Sequence, residues 1–143
     1  MFAFGHVFNR KTFLFLLDLE IKRARRYQKY LSVLSITSHY LNSSPDENPS
    51  IFLKTLANRL KDVLRDTDIV GQCMANRLLV MLPYSDKEEA HKVRERLEQI
   101  LQEYDLEKEG LTIEIDEACF PTDTTNIDDL LRMAGNHVPD GDP

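Results

Sequence analysis

The sequence predicts one α/β domain with a ferredoxin-like core, in which helices flank a central, mostly antiparallel sheet. Helix-like and strand-like segments alternate along the chain in the order α, β, α, β-hairpin, α, β, α. One tight hairpin lies in the middle of that order, and single strands enclosed by helices lie on either side of it. This combination is typical of helices packed on a mixed or antiparallel sheet. We assign residues 1–138 to the domain and expect a disordered tail over residues 139–143, which has nothing to pack against.

The first half of the chain predicts two helices on either side of one strand. Apolar residues recur at helical spacing from Asn9 to about Tyr30, and Asn9 is a suitable N-cap. The segment Leu31 to about Ser38 is apolar and β-branched, which favours a central strand. Turn-forming residues fill positions 42–49. Ser50 then offers an N-cap for a helix from Ile51 to about Arg65.

The second half contains the hairpin and three further elements. The hairpin turn is expected at Met74–Arg77, and its second strand, Leu78–Leu82, is stopped by Pro83. The segment Ser85–Glu88 has the form of a capping box. The remaining predicted elements are a helix from that box to about Tyr104, a strand at Leu111–Phe120 and a helix from Asn126 to about His137.

Composition places the chain among ordinary globular proteins and excludes several classes. The hydrophobic share is 42%, the charged share 29% and the formal net charge −6. This acidic balance argues against a general binder of nucleic acid or anionic membranes. No apolar run approaches the ~20 residues that a membrane-spanning helix needs, and the N-terminus lacks the pattern of a signal peptide. We therefore expect a cytoplasmic protein without membrane insertion, in which Cys73 and Cys119 are buried free thiols.

Several polar groups have both a functional and an ordinary interpretation. The basic run Lys22–Lys29 could bind an anion or a partner, but charge runs at a helix end are usually solvated. His39 could be a base or a metal ligand, although no carboxylate or cysteine accompanies it in the strand. Alternation places Glu114 and Asp116 on one strand face, where a solvated sheet surface is the simpler interpretation than a catalytic pair.

Seven short segments, taken together, resemble the GGDEF (diguanylate cyclase) family over nearly the whole chain. Each is weak alone, but their order and spacing match the family. They are Asn9–Phe13, Arg23–Tyr27, Leu31–Leu34, Arg65–Val70, Leu78–Pro83, Glu95–Leu97 and Ala118–Pro121. The resemblance implies the cyclase-palm form of the ferredoxin-like core.

The signature of that family is degenerate in this chain. A gap-free match lays Gly-Gly-Asp-Glu-Phe over Met74, Ala75, Asn76, Arg77 and Leu78. The resemblance implies that the two glycines of the family let the backbone approach the nucleotide phosphates, and that the acidic residue of the family holds the metal. In this chain Met74 and Ala75 replace the glycines, and Arg77 replaces the acidic residue. The second metal carboxylate of the family falls near Thr37, and positions 31–42 contain no carboxylate. The family also recognises guanine through an aspartate at a helix start, and the resemblance places Ser50 at that position. We therefore expect neither catalysis nor a bound metal or cofactor.

A second family site is retained in part. Many members bind their product, cyclic di-GMP, at an inhibitory Arg-x-x-Asp motif completed by an arginine of the next helix. Arg65, Asp68 and Arg96 occupy those positions. Arginine can pair with guanine or phosphate, and Asp68 could accept hydrogen bonds from guanine. The alternative is that Arg65 complements a helix end and Asp68 makes a local turn bond.

Three functions are compatible with these residues. The first is a catalytically inactive regulatory module that binds cyclic di-GMP. The second is a ligand-free interaction or scaffold domain in bacterial signalling, with a protein partner or a second copy of itself. The third, residual cyclase activity, would require several independent substitutions to be compensated at once. No nucleic-acid partner is expected.

Overall fold

The structure, a computed structural model, describes residues 7–40 and 50–133. The predicted loop at 42–49, the end of the last helix and the tail at 139–143 lie outside these residues, as do the outer limits of the predicted domain. The elements, in chain order, are β1 (Val7–Asn9), α1 (Arg10–Tyr27), β2 (Leu31–Tyr40), α2 (Ser50–Arg59) with a 3₁₀ turn (Leu60–Asp62), β3 (Ile69–Met74), β4 (Arg77–Pro83), α3 (Lys87–Leu101), β5 (Leu111–Phe120) and α4 (Ile127–Met133).

The five strands form one mixed sheet in the order β1-β3-β4-β2-β5. β2 pairs antiparallel with both β4 and β5, and β3 and β4 form the hairpin. Among the strands of the described residues, only β1 is parallel to its neighbour, β3. The predicted α/β class with a mostly antiparallel sheet between helices is thereby confirmed.

Side-chain alternation along the strands creates two cores. On one face, Leu34, Ile36 and Val80 pack beneath α2 and α3. On the other, Val33 and Met81 pack beneath α1 and α4. Because β2 is a central strand covered on both faces, it is buried continuously from Leu31 through Ser38.

β1 is absent from the prediction. It has three residues, which is too short to show strand periodicity, and it pairs with Val70, Gly71 and Gln72 some sixty positions away. Such a strand depends on contacts that only the folded chain provides.

Two helix boundaries differ from the prediction. Helix α1 ends at Tyr27 instead of Tyr30, because Gln28 is left-handed at φ 53° and its N–H bonds to the Ala24 carbonyl. The helical segment that begins at α2 ends with the 3₁₀ turn at Asp62, three residues before Arg65.

The capping box of α3 is shifted by one residue and uses other side chains. Asp86 is the N-cap, and it exchanges hydrogen bonds with Glu89. Ser85 precedes the cap, and its buried hydroxyl instead accepts a hydrogen bond from Arg65.

The two cysteines are free thiols, as expected, but only Cys119 is buried, whereas Cys73 is half-buried. No helix in the described part of the chain has the length and apolar character that a membrane crossing needs.

Candidate functional site

The tip of the β3–β4 hairpin is a two-residue turn held against the centre of the sheet. Met74 pairs with Arg77, so Ala75 and Asn76 form the turn, within the predicted segment. The Asn76 amide nitrogen donates to the Ser38 carbonyl at 3.0 Å, and the Ser38 N–H donates to the Asn76 carbonyl at 2.9 Å. These bonds fix the hairpin tip beside the end of β2.

Arg77 lies directly across from Thr37 in the β2–β4 ladder. Its Nε donates a hydrogen bond to the Thr37 hydroxyl at 3.1 Å. The two positions where the resemblance implies metal carboxylates are therefore adjacent, and here an arginine contacts a threonine. Burial lowers the pKa of Arg77, while Cys73 and the carboxylates of β5 oppose that shift. Because arginine stays protonated in proteins, this point of the sheet carries a fixed cation.

Glu114 and Asp116 lie on the same sheet face as Arg77, as strand alternation predicts. Glu114 is opposite Thr37 on β2, and Asp116 is opposite Ser35. Glu114 is exposed and Asp116 is half-buried, so the pair faces partly toward solvent. Within residues 7–40 and 50–133, no group of three or more acidic, histidine or cysteine side chains is placed to hold a metal ion.

His39 is a surface residue at the end of β2. Its Nε2 lies 3.9 Å from a Glu114 carboxylate oxygen, and both side chains are at least half exposed. This weak cross-strand pair agrees with the ordinary interpretation of His39.

A cavity of about 490 Å³ lies beside the hairpin, on the sheet face opposite Arg77, between β1 and α2. Its walls include Val7, Leu53 and Leu78, so much of the lining is apolar. Two of its polar groups are already used within the chain. The Asn9 side chain accepts a hydrogen bond from the Thr12 N–H, and the Gln72 amide donates to the Ala75 carbonyl.

The three residues of the predicted ligand site line one cavity of about 240 Å³ between the end of the 3₁₀ segment and α3. Arg65 and Arg96 are exposed at its rim, whereas Asp68 is 1% exposed at its base. The fold therefore brings together Arg65, Asp68 and Arg96, which are separated by up to 31 positions in the sequence.

Asp68 is occupied by its own turn. One carboxylate oxygen accepts from the Arg65 backbone N–H at 2.8 Å, and the other accepts from Arg65 Nη2 at 3.3 Å. Burial raises the pKa of Asp68, and the bonds from Arg65 oppose that rise. The local turn bond of the alternative interpretation is thus present. Each carboxylate oxygen therefore already has one partner within the chain, and the carboxylate is buried at the base of the cavity.

Arg65 is anchored at one nitrogen and exposed elsewhere. Nη2 also donates to the Pro83 carbonyl at 2.9 Å and to the Ser85 hydroxyl at 2.7 Å. Half of the side chain remains exposed. Asp68 and the β4–α3 connection therefore hold the guanidinium at the cavity rim.

Sequence reasoning missed two charged residues of this cavity, Glu89 and Lys92 on α3. With Arg96 they follow a three- and four-residue spacing, which places them on one helix face. That spacing was the signal that could have identified them.

The opposite side of α3 is tied to β5. His91 Nδ1 lies 3.1 Å from Glu117, and Arg94 lies 3.7 Å from the same carboxylate oxygen. The hydrogen bond to Glu117 raises the pKa of His91. These contacts help to set the position of the helix that carries Arg96.

Comparisons with known proteins agree with this architecture. A family model described as "Diguanylate cyclase, GGDEF domain" matches residues 3–139. A cyclic di-GMP phosphodiesterase, NbdA of Pseudomonas aeruginosa, is 29% identical over 86 residues, which are 58% of this chain and 11% of that protein. This chain therefore spans only a small part of that relative's length.

Two solved structures have the same fold. A DGC protein from Thermotoga maritima superposes with a TM-score of 0.77 at 19% identity, over 94% of this chain and 98% of the other. The GGDEF domain of PA1120 (TpbB or YfiN) from Pseudomonas aeruginosa gives a TM-score of 0.74 at 23% identity, over 90% and 80%. With the family match over almost the entire sequence, these results establish that the chain belongs to the GGDEF domain family.

Proposed function

We propose that this chain is a catalytically inactive GGDEF module that binds cyclic di-GMP as a regulatory ligand. The main support for this proposal is the Arg77–Thr37 hydrogen bond at the hairpin tip. A separate cavity, lined by the basic residues Arg65, Lys92 and Arg96, adds to it. In this proposal the hydrogen bond takes the place of the metal site that catalysis requires, and the cavity supplies the cations that bind the nucleotide.

The loss of catalysis follows from charge and from backbone access. Phosphoryl transfer of this kind uses divalent cations held by carboxylates, which neutralise charge on the nucleotide phosphates. A guanidinium bonded to Thr37 occupies that location and repels Mg²⁺. Met74 and Ala75 add side chains where the family has glycines for close approach to phosphate. Each change acts against turnover independently.

Binding of cyclic di-GMP is supported by the cations around the smaller cavity. Arg65, Lys92 and Arg96 are exposed and can meet phosphate oxygens, and a guanidinium can pair with the guanine O6/N7 edge. In this proposal Asp68 positions Arg65 instead of contacting the base. The relative NbdA is described as a cyclic di-GMP phosphodiesterase, which is consistent with this class of ligand.

The ligand-free interaction module is the second candidate. It is favoured by the completeness of the Arg65–Asp68 turn, in which both carboxylate oxygens and Nη2 already have partners. Such a turn would be retained for stability alone. This candidate predicts no nucleotide affinity and a stable complex with a protein partner.

Calorimetric titration with cyclic di-GMP distinguishes the two candidates. We expect saturable binding to the wild-type chain and a loss of affinity of about tenfold or more in Arg96→Ala, since a charge-assisted contact contributes roughly 1.5–3 kcal/mol. Arg96 is preferred over Arg65 because its side chain is exposed and does not support Asp68. Lys108→Ala, which removes an equal charge from an exposed position outside the cavity, is the matched control.

Two results would refute the ligand proposal. Absence of heat and of any other binding signal in the wild type would leave the interaction module. Equal affinity of the wild type and Arg96→Ala would place the dinucleotide at a different site.

A further inference from the structure

The C-terminal end of α1 forms a second surface, which combines an apolar cavity with basic side chains. The cavity is about 330 Å³ and lies between this helix end and the segment that follows β5. Its lining includes Ala24, Arg25, Lys29, Tyr30, Phe120 and Thr125. We call these six residues the α1-end surface. It is separate from both cavities described above.

The floor of this cavity is rigid and apolar. Ala24 is 4% exposed and Phe120 is 3% exposed, and both belong to the core beneath α1 and α4. A side chain that entered the cavity would meet a surface already held by the core. Little ordering would therefore be needed on binding.

Arg25 is held in place above that floor. Its Nη2 donates to the Thr125 carbonyl at 2.9 Å, and its guanidinium carbon lies 5.8 Å from the centre of the Phe120 ring. The hydrogen bond and the cation–π contact restrain a side chain that would otherwise be flexible. The cation is thus pre-organised at the cavity mouth.

Charge around the cavity is positive, although the chain as a whole is acidic. Five basic residues and no acidic residue occur between Lys22 and Lys29, whereas the whole chain has a net charge of −6. The nearest acidic residues of α1, Asp18 and Glu20, pair with Lys22 and Arg23. Among the described residues that line the cavity, Arg25 and Lys29 are basic and none carries a carboxylate. The surface is therefore complementary to an anionic ligand.

Two exposed aromatic side chains lie at this helix end, one in the cavity wall and one just before it in the chain. Tyr27 is 58% exposed and Tyr30 is 47% exposed, and they are among the few large hydrophobic side chains that the described surface exposes. Exposed aromatic groups beside a pocket are typical of protein-binding surfaces. They extend the contact area beyond what a small molecule in the cavity would cover.

We propose that the α1-end surface docks an acidic segment of a partner protein. One apolar side chain of the segment enters the cavity above Phe120, and carboxylates on either side of it pair with Arg25 and Lys29. A second copy of this chain is disfavoured as the occupant, because two copies that each carry a charge of −6 repel. This inference is independent of cyclic di-GMP, so either proposal can fail without the other.

Titration of the isotope-labelled protein with the blocked pentapeptide Asp-Glu-Phe-Glu-Asp, followed by NMR, tests the inference. We expect saturable shifts at the amides of Ala24, Gln28, Tyr30 and Thr125. Replacing the phenylalanine of the peptide with serine, or its acidic residues with lysine, should abolish them.

Protein variants test whether the two cations act as proposed. Arg25→Gln and Lys29→Gln should each weaken peptide binding by about fivefold or more. Lys29 is the safer variant, because Arg25 also contacts Thr125 and Phe120. Arg23→Gln, which removes an equal charge from the same helix end outside the cavity, should bind as the wild type does.

Four results would overturn the inference. The first is an absence of shifts at these amides up to about 5 mM peptide, and the second is peptide binding by Lys29→Gln that equals that of the wild type. The third is phenylacetate binding as tight as that of the peptide, and the fourth is a dimer in sedimentation that Lys29→Gln disrupts. The third would indicate a small-molecule site, and the fourth would indicate self-association.

Discussion

Gly71→Ala is expected to destabilise the domain by about 3 kcal/mol, because a methyl group has no space at this position of β3. A Cβ built there lies 2.6 Å from the Cβ, Cγ and Cδ2 atoms of Phe13. Phe13 is fully buried, and the clash involves its Cβ, so rotation of the ring cannot relieve it. Helix α1 would have to move away from the sheet. Chemical denaturation of the wild type and the variant measures the effect.

A double mutant identifies the cause. Phe13→Gly alone should cost about 5 kcal/mol, through its cavity and through glycine in a helix. Adding Gly71→Ala to Phe13→Gly should cost little more, because no Cβ remains at position 13 to clash with the new methyl group and the two changes are then not additive. Gly110→Ala is the matched control. Apart from its own two chain neighbours, no described residue has an atom within 4 Å of the added Cβ, so the φ of 72° is what opposes alanine there, at about 1 kcal/mol. Additive effects of the two core changes would contradict this account.

Asp68→Ala is expected to cost about 2–3 kcal/mol of folding free energy, because it removes a buried acceptor from the Arg65 turn. The Arg65 N–H loses a 2.8 Å hydrogen bond in a half-buried environment, and Nη2 loses its carboxylate partner. Asp68→Asn should cost less, because its side-chain oxygen can still accept from the backbone. Thermal and denaturant unfolding of the three proteins provide the measurement.

The difference in folding stability between the wild type and Asp68→Asn is expected to depend on pH. Burial raises the pKa of Asp68, so the folded state binds this proton more tightly than the unfolded state does. The contribution of Asp68 to stability is therefore smallest above the raised pKa, and it grows as the pH falls through that value toward the ordinary aspartate range. The difference in stability between the wild type and Asp68→Asn should change over that window. A difference that is constant with pH would contradict the burial of this charge.

Local patterns were sufficient to predict most of the architecture. The apolar run of β2, the hairpin turn at Ala75 and Asn76 and the strand β5 were identified because each has a strong signal within a few residues. β1 was missed because it depends on pairing with the distant Val70 and its neighbours. The α3 cap was placed one residue early because the sequence does not reveal that Arg65 engages the Ser85 hydroxyl.

The candidate ligand site was predicted less completely than the fold. The resemblance supplied Arg65, Asp68 and Arg96, and the chain brings them to one cavity. The burial of Asp68 could not be inferred, since it depends on how β4 and α3 close over the turn. Lys92 could have been found from its four-residue spacing to Arg96, but no motif drew attention to it.

Product formation from GTP decides whether this chain is catalytically inactive. The purified chain is incubated at high concentration with GTP and Mg²⁺, and nucleotides are separated by anion-exchange chromatography. With Arg77 bonded to Thr37 at the hairpin tip, we expect no cyclic di-GMP and no consumption of GTP above a protein-free control. Formation of cyclic di-GMP that requires Mg²⁺ and copurifies with this chain would contradict the proposal that the module is catalytically inactive.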